Sequence, residues 1–308
     1  MNPDKSKPKV IVICGPTGSG KTTAAIELAV RFNGQIISAD SMQIYRFMDI
    51  GTAKPTPSEQ QQVRHYLIDV ATPDEPFNAA RYADMARDRI GKLHTEGIVP
   101  FVTGGTGLYI KALLKGLFQA DPVDPALRRR LKKDAAVNGA AELHRRLAAC
   151  DPESARRIHP NDTYRILRAL EIHELTGQSI SRFQSGHGFS ERPYSVLKIG
   201  LDRDRIALYE RINARVDHMI AAGLLQEVKS LLARGYAPGL KSMQSIGYRH
   251  MVDFIQGRRS WPETLSTFKR DTRRYAKRQL TWFKADGEVN WVAAENTTDM
   301  ARLIKDFL

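Results

Sequence analysis

Residues 10–22 read VIVICGPTGSGKT, and the reading of this stretch decides the fold. Val10–Cys14 is a short unbroken apolar run, the pattern of a strand buried on both faces of a parallel sheet. Gly15, Pro16, Thr17, Gly18, Ser19, Gly20, Lys21 and Thr22 follow it and fill the phosphate-loop pattern G-x-x-x-x-G-K-[ST] at every position. Glycines let the backbone curl until successive N–H groups face phosphate oxygens, and the start of the next helix adds its partial positive charge. Lys21 supplies a full charge, and the Thr22 hydroxyl is the candidate ligand for Mg²⁺. A helix is predicted from Thr23 to Phe32, with Ile26, Leu28, Ala29 and Val30 among its apolar residues. The motif specifies phosphoryl oxygens and leaves their carrier open.

Further out, Gln35–Ser38, Tyr66–Val70 and Val99–Thr103 read as strands. Between the last two, Asn78 can cap a helix running towards His94. Short apolar runs alternating with helices give the fold class: α/β, a P-loop NTPase-like parallel sheet. Beyond Gly116 the texture changes. From Pro125 to Leu175 only helical patterns occur, Ala126–Asn138, Ala140–Ala149 and Thr163–Leu175. Residues 177–193 are rich in Gly, Ser and Gln and read as a loop. Val196–Leu201 is again a strand, and helical patterns run from Arg205 to Leu232. The expected organisation is a P-loop core at 1–119 and 196–308 with basic C-terminal helices, and a helical insertion domain at 120–195.

Composition narrows the class. The 308 residues are 42% hydrophobic and 26% charged, which excludes a disordered or fibrous chain. No apolar run approaches the roughly 20 residues that cross a bilayer, and the polar start MNPDKSKPK lacks the apolar stretch of a secretory signal. With only Cys14 and Cys150, neither a disulfide framework nor a four-ligand zinc site is expected. The expectation is a soluble, cytoplasmic protein without membrane contact. Lys and Arg number 47 against 34 Asp and Glu, and a net +13 points to a polyanion or a phosphorylated substrate. Of that charge, +7 lies in residues 258–284. Lys269/Arg270, Arg273/Arg274 and Lys277/Arg278 recur every four residues, so they are expected to stack along one helix face and meet a nucleic-acid backbone. Trp261, Phe268, Tyr275, Trp282 and Phe283 interleave with them and read as core-facing.

Strands of a parallel sheet end on one edge, so the loop Asp40-Ser41-Met42-Gln43 should open beside the phosphate loop. A carboxylate at Asp40 can take a proton from an attacking nucleophile there. Asp69 is a competing acid for the Mg²⁺ shell, and the sequence does not choose between the two. Gly104-Gly105-Thr106-Gly107 follows Val99–Thr103 and faces the same mouth, where its N–H groups and the Thr106 hydroxyl can hold a substrate oxygen. From these residues alone, a small-molecule kinase and an RNA-binding protein or RNA-stimulated ATPase both stay open.

GPTGSGKT at 15–22, ISADSMQIYRFMDIGTAKP at 37–55, GGTGLYIKALLKGL at 104–117, RILRALEIHELTG at 165–177, YERINARVDHMIAAGLLQEV at 209–228, SIGYRHM at 245–251 and AKRQLTWF at 276–283 follow one another along nearly the whole chain. In these stretches and their order the chain resembles the tRNA dimethylallyltransferases (isopentenyl-tRNA transferases) in their bacterial form. The resemblance implies that the P-loop holds the diphosphate of dimethylallyl diphosphate rather than ATP. It implies as acceptor N6 of the adenine on the 3′ side of a tRNA anticodon, giving N6-isopentenyladenosine and diphosphate. It further implies that Asp40 is the general base, Thr106 lines the reaction channel, and Lys21 and Arg215 meet the diphosphate. Positions matching tRNA contacts are Asp40, Ser41, Met42, Gln43, Thr106, Arg128, Tyr164, Arg165, Ile166, Leu167 and Arg168. Gln244, Ser245, Ile246, Gly247, Tyr248, Arg249, Lys277, Arg278, Gln279, Trp282 and Lys284 complete them, and Arg274 joins from the basic helix. A monomer is expected. Gly18 stands where alanine is commoner in the family, Arg64-His65-Tyr66 replaces a more usual His-His, and the zinc-finger extension of eukaryotic relatives is absent.

Overall fold

The computed structural model describes residues 7–117, 124–187 and 191–308. Its sheet is built from β1 (Lys9–Cys14), β2 (Gly34–Ser38), β3 (His65–Tyr66), β4 (Val99–Gly104), β5 (Ser195–Asp202) and β6 (Val289–Ala293). The strands lie in the order β3-β2-β4-β1-β5-β6, and every pairing is parallel. Helices Lys21–Arg31 and Ala79–Thr95 make crossovers, the second capped by the Asn78 side chain accepting from the Arg81 N–H. β1 lies inside the sheet and its Val10–Ile13 are fully buried, which is why those four positions are all apolar. Ile11, Ile13, Leu28, Ile36, Phe101, Ile199 and Ile304 share one core with it.

Register sets the working edge. Cys14 pairs with Gly104 and Ser38 with Thr103, so β1, β4 and β2 end level and their following loops open side by side.

Lys115–Glu191 forms a separate compact unit of helices. Its helix Pro125–Cys150 leaves helical geometry at Gly139 (φ 78°), where the sequence shows the break between two helical patterns. Helices Pro152–Arg157, Thr163–Thr176 and Ile180–His187 complete the unit, around Leu131, Leu143, Leu147, Ile166 and Leu170. The buried Asp151 carboxylate ties two of them together, accepting from the Ser154 and Ser181 N–H groups at 3.0 Å each.

The structure corrects four expectations. The third strand stops at Tyr66, because Leu67 (φ 59°) and Asp69 (φ 56°) turn the backbone into the left-handed region. Ile180–His187 is a helix, held by Ile180 and Phe183 against the core of the helical unit, although its composition reads as loop. Val289–Ala293 adds an edge strand the sequence reading lacks. Arg192–Leu308 belongs to the core unit and Lys115 onward to the helical one, several residues from the 195/196 and 119/120 divisions. Arg192 shows the reason for the first shift: it pairs at 2.9 Å with Glu288, just before β6. Among the described residues no helix is long and apolar enough to cross a membrane.

Candidate functional site

A cavity of about 1190 Å³ opens at the level strand ends, lined by the P-loop, the loop after β2, the glycine turn after β4 and the helices Arg205–Ala221 and Trp261–Lys284. In the P-loop, Gly18 takes φ 82°, a conformation that a side chain would strain. Gly20 starts the helix without any side-chain cap, leaving its first N–H groups for a ligand. Two side chains hold the loop. Arg211 Nε donates to the Gly18 carbonyl at 3.0 Å, and Gln279 Oε1 accepts from the Thr17 N–H at 2.8 Å.

Lys21 Nζ donates to the Pro16 carbonyl at 2.7 Å. Burial lowers its pKa to about 8, the nearby Arg215 guanidinium adding to the fall and the Asp40 carboxylate opposing it. Burial also lowers Arg215, again opposed by Asp40. The sequence-predicted trio of Lys21, Arg215 and Asp40 is thus brought together from three separate elements, in one electrostatic neighbourhood with a surplus of positive charge.

Asp40 is held by its own loop. Its Oδ1 accepts from the Met42 N–H at 2.8 Å and the Gln43 N–H at 3.4 Å, an Asx turn that leaves Oδ2 without a hydrogen-bond partner among the described residues. The Gln43 amide accepts from Ser38 Oγ (3.0 Å) and donates to the carbonyls of Ala53 (3.1 Å) and Thr52 (3.4 Å), which anchors that turn to the GTAKP segment. Thr106 stitches the neighbouring loop on: its Oγ1 accepts from the Ser41 N–H at 3.0 Å, and its N–H donates to the Ala39 carbonyl at 3.1 Å. Asp69 is otherwise engaged, its carboxylate accepting from Lys54 at 2.6 Å.

The glycine turn is glycine because its neighbours leave no room. A Cβ on Gly104 would run into the Ala39 carbonyl, and one on Gly105 into the Gln279 amide. Gly104→Ala must push backbone apart and is expected to cost about 1–3 kcal/mol, read as a lower denaturant midpoint at unchanged slope.

The residues expected to meet RNA fall into two groups. Tyr164 and Arg165 are exposed on the helical unit, and Arg128 lies 5.9 Å over the Tyr164 ring. Leu167 and Arg168 are half-buried, Arg168 pairing with Glu171 at 2.8 Å. On the core unit Gln244, Arg274, Lys277, Arg278, Trp282 and Lys284 are exposed, with Ser41, Met42, Ser245, Ile246 and Arg249 half-buried. Ile166, Gly247, Tyr248 and Gln279 are buried and are corrected accordingly. Ile166 belongs to the helical core, and the Tyr248 hydroxyl donates to Glu227 at 2.6 Å, so neither side chain is available to RNA. Gln279 faces inward, onto the P-loop and the glycine turn.

The single basic face is also corrected. Lys269 turns to Asp217 (2.7 Å) and Arg273 to Asn213 (2.6 Å) on the helix Arg205–Ala221, while Arg274, Lys277 and Arg278 stay exposed. The interleaved aromatics divide likewise: Phe268 and Phe283 are buried, and Trp282 is 43% exposed. Arg211, Thr103 and Tyr275 are site residues the sequence reading did not assign. Arg211 precedes Arg215 by four residues and so shares its helix face, a signal that was there to read. Burial, then Asp40, pushes the Tyr275 phenol up, while hydrogen bonds with Thr106 and Gln279 pull the other way.

Against known families, residues 43–286 match the model of the family described as IPP transferase. The chain belongs to the IPP transferase family. A tRNA dimethylallyltransferase of Desulfosudis oleivorans is 57% identical over 304 residues, covering 98% of this chain and 97% of the relative. One from Desulfatibacillum aliphaticivorans is 53% identical over 303 residues, with 98% and 99% covered. Among solved structures, the full-length tRNA isopentenylpyrophosphate transferase of Bacillus halodurans superposes with a TM-score of 0.74 at 41% identity, covering 98% of this chain and 97% of that one. A eukaryotic dimethylallyltransferase acting on tRNA gives a TM-score of 0.79 at 28% identity, over 97% of this chain and 77% of its own. Family membership agrees with the P-loop-like α/β core described above.

Proposed function

We propose that the chain is a tRNA prenyltransferase that moves the dimethylallyl group of dimethylallyl diphosphate to N6 of the adenine 3′-adjacent to a tRNA anticodon. The observation that carries this reading is the meeting, in one cavity, of a cationic phosphate loop with a loop carboxylate from the next strand end. The exocyclic amine of adenine is a weak nucleophile, its lone pair being delocalised into the ring. Alkylating it needs a good leaving group, alignment, and a base. As the allylic C1–O bond breaks and the N6–C1 bond forms, negative charge grows on the departing diphosphate. Lys21, Arg215 and the P-loop N–H groups stabilise that charge in a partly enclosed site. Asp40 orients the amine and accepts its proton.

Mg²⁺ fits the donors present. Thr22 lines the cavity, as does Thr103, whose Oγ1 is buried and without a hydrogen-bond partner among the described residues. Among the described residues no group of three His, Cys, Asp or Glu gathers to hold a metal, so Thr22 would share the ion with the diphosphate oxygens themselves. Bound there, Mg²⁺ adds positive charge on the leaving-group side.

The adenine must leave its stack to reach Asp40, which is comparatively cheap in an anticodon loop. Exposed Arg274, Lys277 and Arg278 supply phosphate contacts from the core unit, and Arg128, Tyr164 and Arg165 supply a second surface on the helical one. A monomeric, cytoplasmic enzyme is the expectation that goes with this reading.

Two measurements test this. With prenyl-labelled donor the label follows the RNA, whereas label on the β-phosphate leaves as free diphosphate; phosphate label on the RNA would mean phosphoryl transfer instead. Replacing Arg274 and Arg278 together by alanine is expected to weaken stem-loop binding and to flatten the dependence of log K on log salt by about 1.5. An unchanged slope would mean that this face does not touch phosphate.

A further inference from the structure

Gln279 sits on a strongly basic helix, between exposed Arg278 and half-buried Leu280, yet it is only 6% exposed. Both ends of its amide are used. Oε1 accepts from the Thr17 N–H at 2.8 Å, inside the P-loop, and Nε2 donates to the Gly105 carbonyl at 2.9 Å, inside the glycine turn. Gly105 has no side chain because the amide occupies the place a Cβ would take. The next residue, Thr106, holds the Ser41 N–H and the Ala39 carbonyl on either side of Asp40. A continuous run of hydrogen bonds thus connects the loop that grips the leaving group with the loop that carries the base, and Gln279 is its middle member.

We propose that Gln279 is a positioning residue, whose amide keeps the diphosphate loop and the Asp40–Thr106 side of the cavity in register so that the donor carbon and the acceptor nitrogen meet in line. The proposal rests on the prenyl-transfer reading of this site and deepens it. Gln279 touches neither reacting atom; it acts through Thr17 and Gly105. Two substrates held by different loops react only as well as those loops are aligned, and a misplacement of about 1 Å can cost about 100-fold in rate. A glutamine suits the task because one planar group both accepts and donates. A lysine or glutamate here would do one of the two and bring a charge beside the diphosphate.

The test is single-turnover transfer with enzyme, dimethylallyl diphosphate, Mg²⁺ and an anticodon stem-loop, read as rate constant and amplitude separately. Gln279→Leu is expected to lower the rate constant by about 100-fold at full amplitude, with the dissociation constants for the stem-loop and for inorganic diphosphate each within about threefold of wild type. Full amplitude separates misalignment from a loss of folded enzyme, which would lower the amplitude and leave the rate. Gly105→Ala reaches the same contact from the other side, displacing the amide while leaving the helix sequence intact, and should slow transfer in the same way. Because both variants break one linkage, the double variant is expected to be no slower than the slower single one. An unchanged rate constant in either folded variant overturns the proposal. So does a double variant whose losses multiply, or a loss confined to amplitude or to one dissociation constant. A wild-type chain that binds both ligands and transfers no prenyl group would overturn the function beneath it instead.

Discussion

Asp40→Asn lowers the rate of prenyl transfer by about 10³-fold while stem-loop affinity stays within about threefold. The substitution is nearly isosteric, and Oδ1 survives as the acceptor for the Met42 and Gln43 N–H groups, so the Asx turn and the Gln43 anchor behind it remain. What is lost is the negative charge and the proton-accepting capacity of Oδ2, the oxygen the turn leaves free. The positive surplus of Lys21 and Arg215 also loses its counter-charge, so inorganic diphosphate should bind as tightly as before or more so. The measurement is a single-turnover rate at saturating enzyme beside separate titrations of stem-loop and diphosphate. A variant that transfers at the wild-type rate would remove Asp40 from the role of base.

Lys21→Met has the second large effect, about 10²–10³-fold in the rate of transfer, because it removes a full charge from the leaving-group side. The same residue shapes the pH profile. Burial and Arg215 bring Lys21 down to about 8 in the free protein, so the ammonium form, which the diphosphate requires, dominates below that pH and is lost above it. The kcat/KM for the donor therefore falls as pH rises through about 8. Once the diphosphate is bound, its negative charge raises the Lys21 pKa, so kcat itself should hold to higher pH. In Lys21→Met the wild-type fall through about 8 disappears from an already low kcat/KM. A wild-type profile flat to pH 10, or a Lys21→Met variant that keeps the fall, would assign that titration elsewhere.

The parts of this site that could be read in the sequence are those whose residues are neighbours in the chain. The apolar run Val10–Cys14 with its glycine loop, the acid two residues past Ser38 and the glycines after Thr103 all follow from the parallel-sheet rule that strand ends share an edge. The kink at Gly139 was legible for the same local reason. Features fixed by distant partners were not. By resemblance Tyr248 matches a tRNA-contacting position, and only the structure shows that Glu227, 21 residues earlier, takes its hydroxyl. β6 is a half-exposed edge strand with no continuous apolar run, so the pattern that reveals β1 is missing from it. Leu67 and Asp69 end the third strand through backbone conformations that nothing in their side chains announces. The basic helix holds an instructive case between these extremes. Phe268, Thr272, Ala276, Gln279 and Phe283 recur at three- and four-residue spacing and form its buried face. The family resemblance places Gln279 in a run of tRNA-contacting positions, whereas this spacing places it on the buried face.

The charge of +13 acquires a division of labour. Part of it, Lys21, Arg211 and Arg215, converges on the P-loop, where a diphosphate would sit. Part is turned to other side chains, Lys269 to Asp217 and Arg273 to Asn213, and holds the basic helix against its neighbour. Part stays exposed on that helix, Arg274, Lys277 and Arg278, where RNA phosphates can reach it. A small-molecule kinase would have use for the first set alone.

The measurement that bears most directly on the account is incubation of the chain with labelled dimethylallyl diphosphate, Mg²⁺ and unmodified tRNA, followed by digestion and nucleoside analysis. Label is expected in N6-isopentenyladenosine from the position 3′-adjacent to the anticodon, with one diphosphate released per prenyl group transferred. Unlabelled RNA with the donor hydrolysed to its alcohol, or a prenyl group on any atom other than that adenine N6, would contradict it.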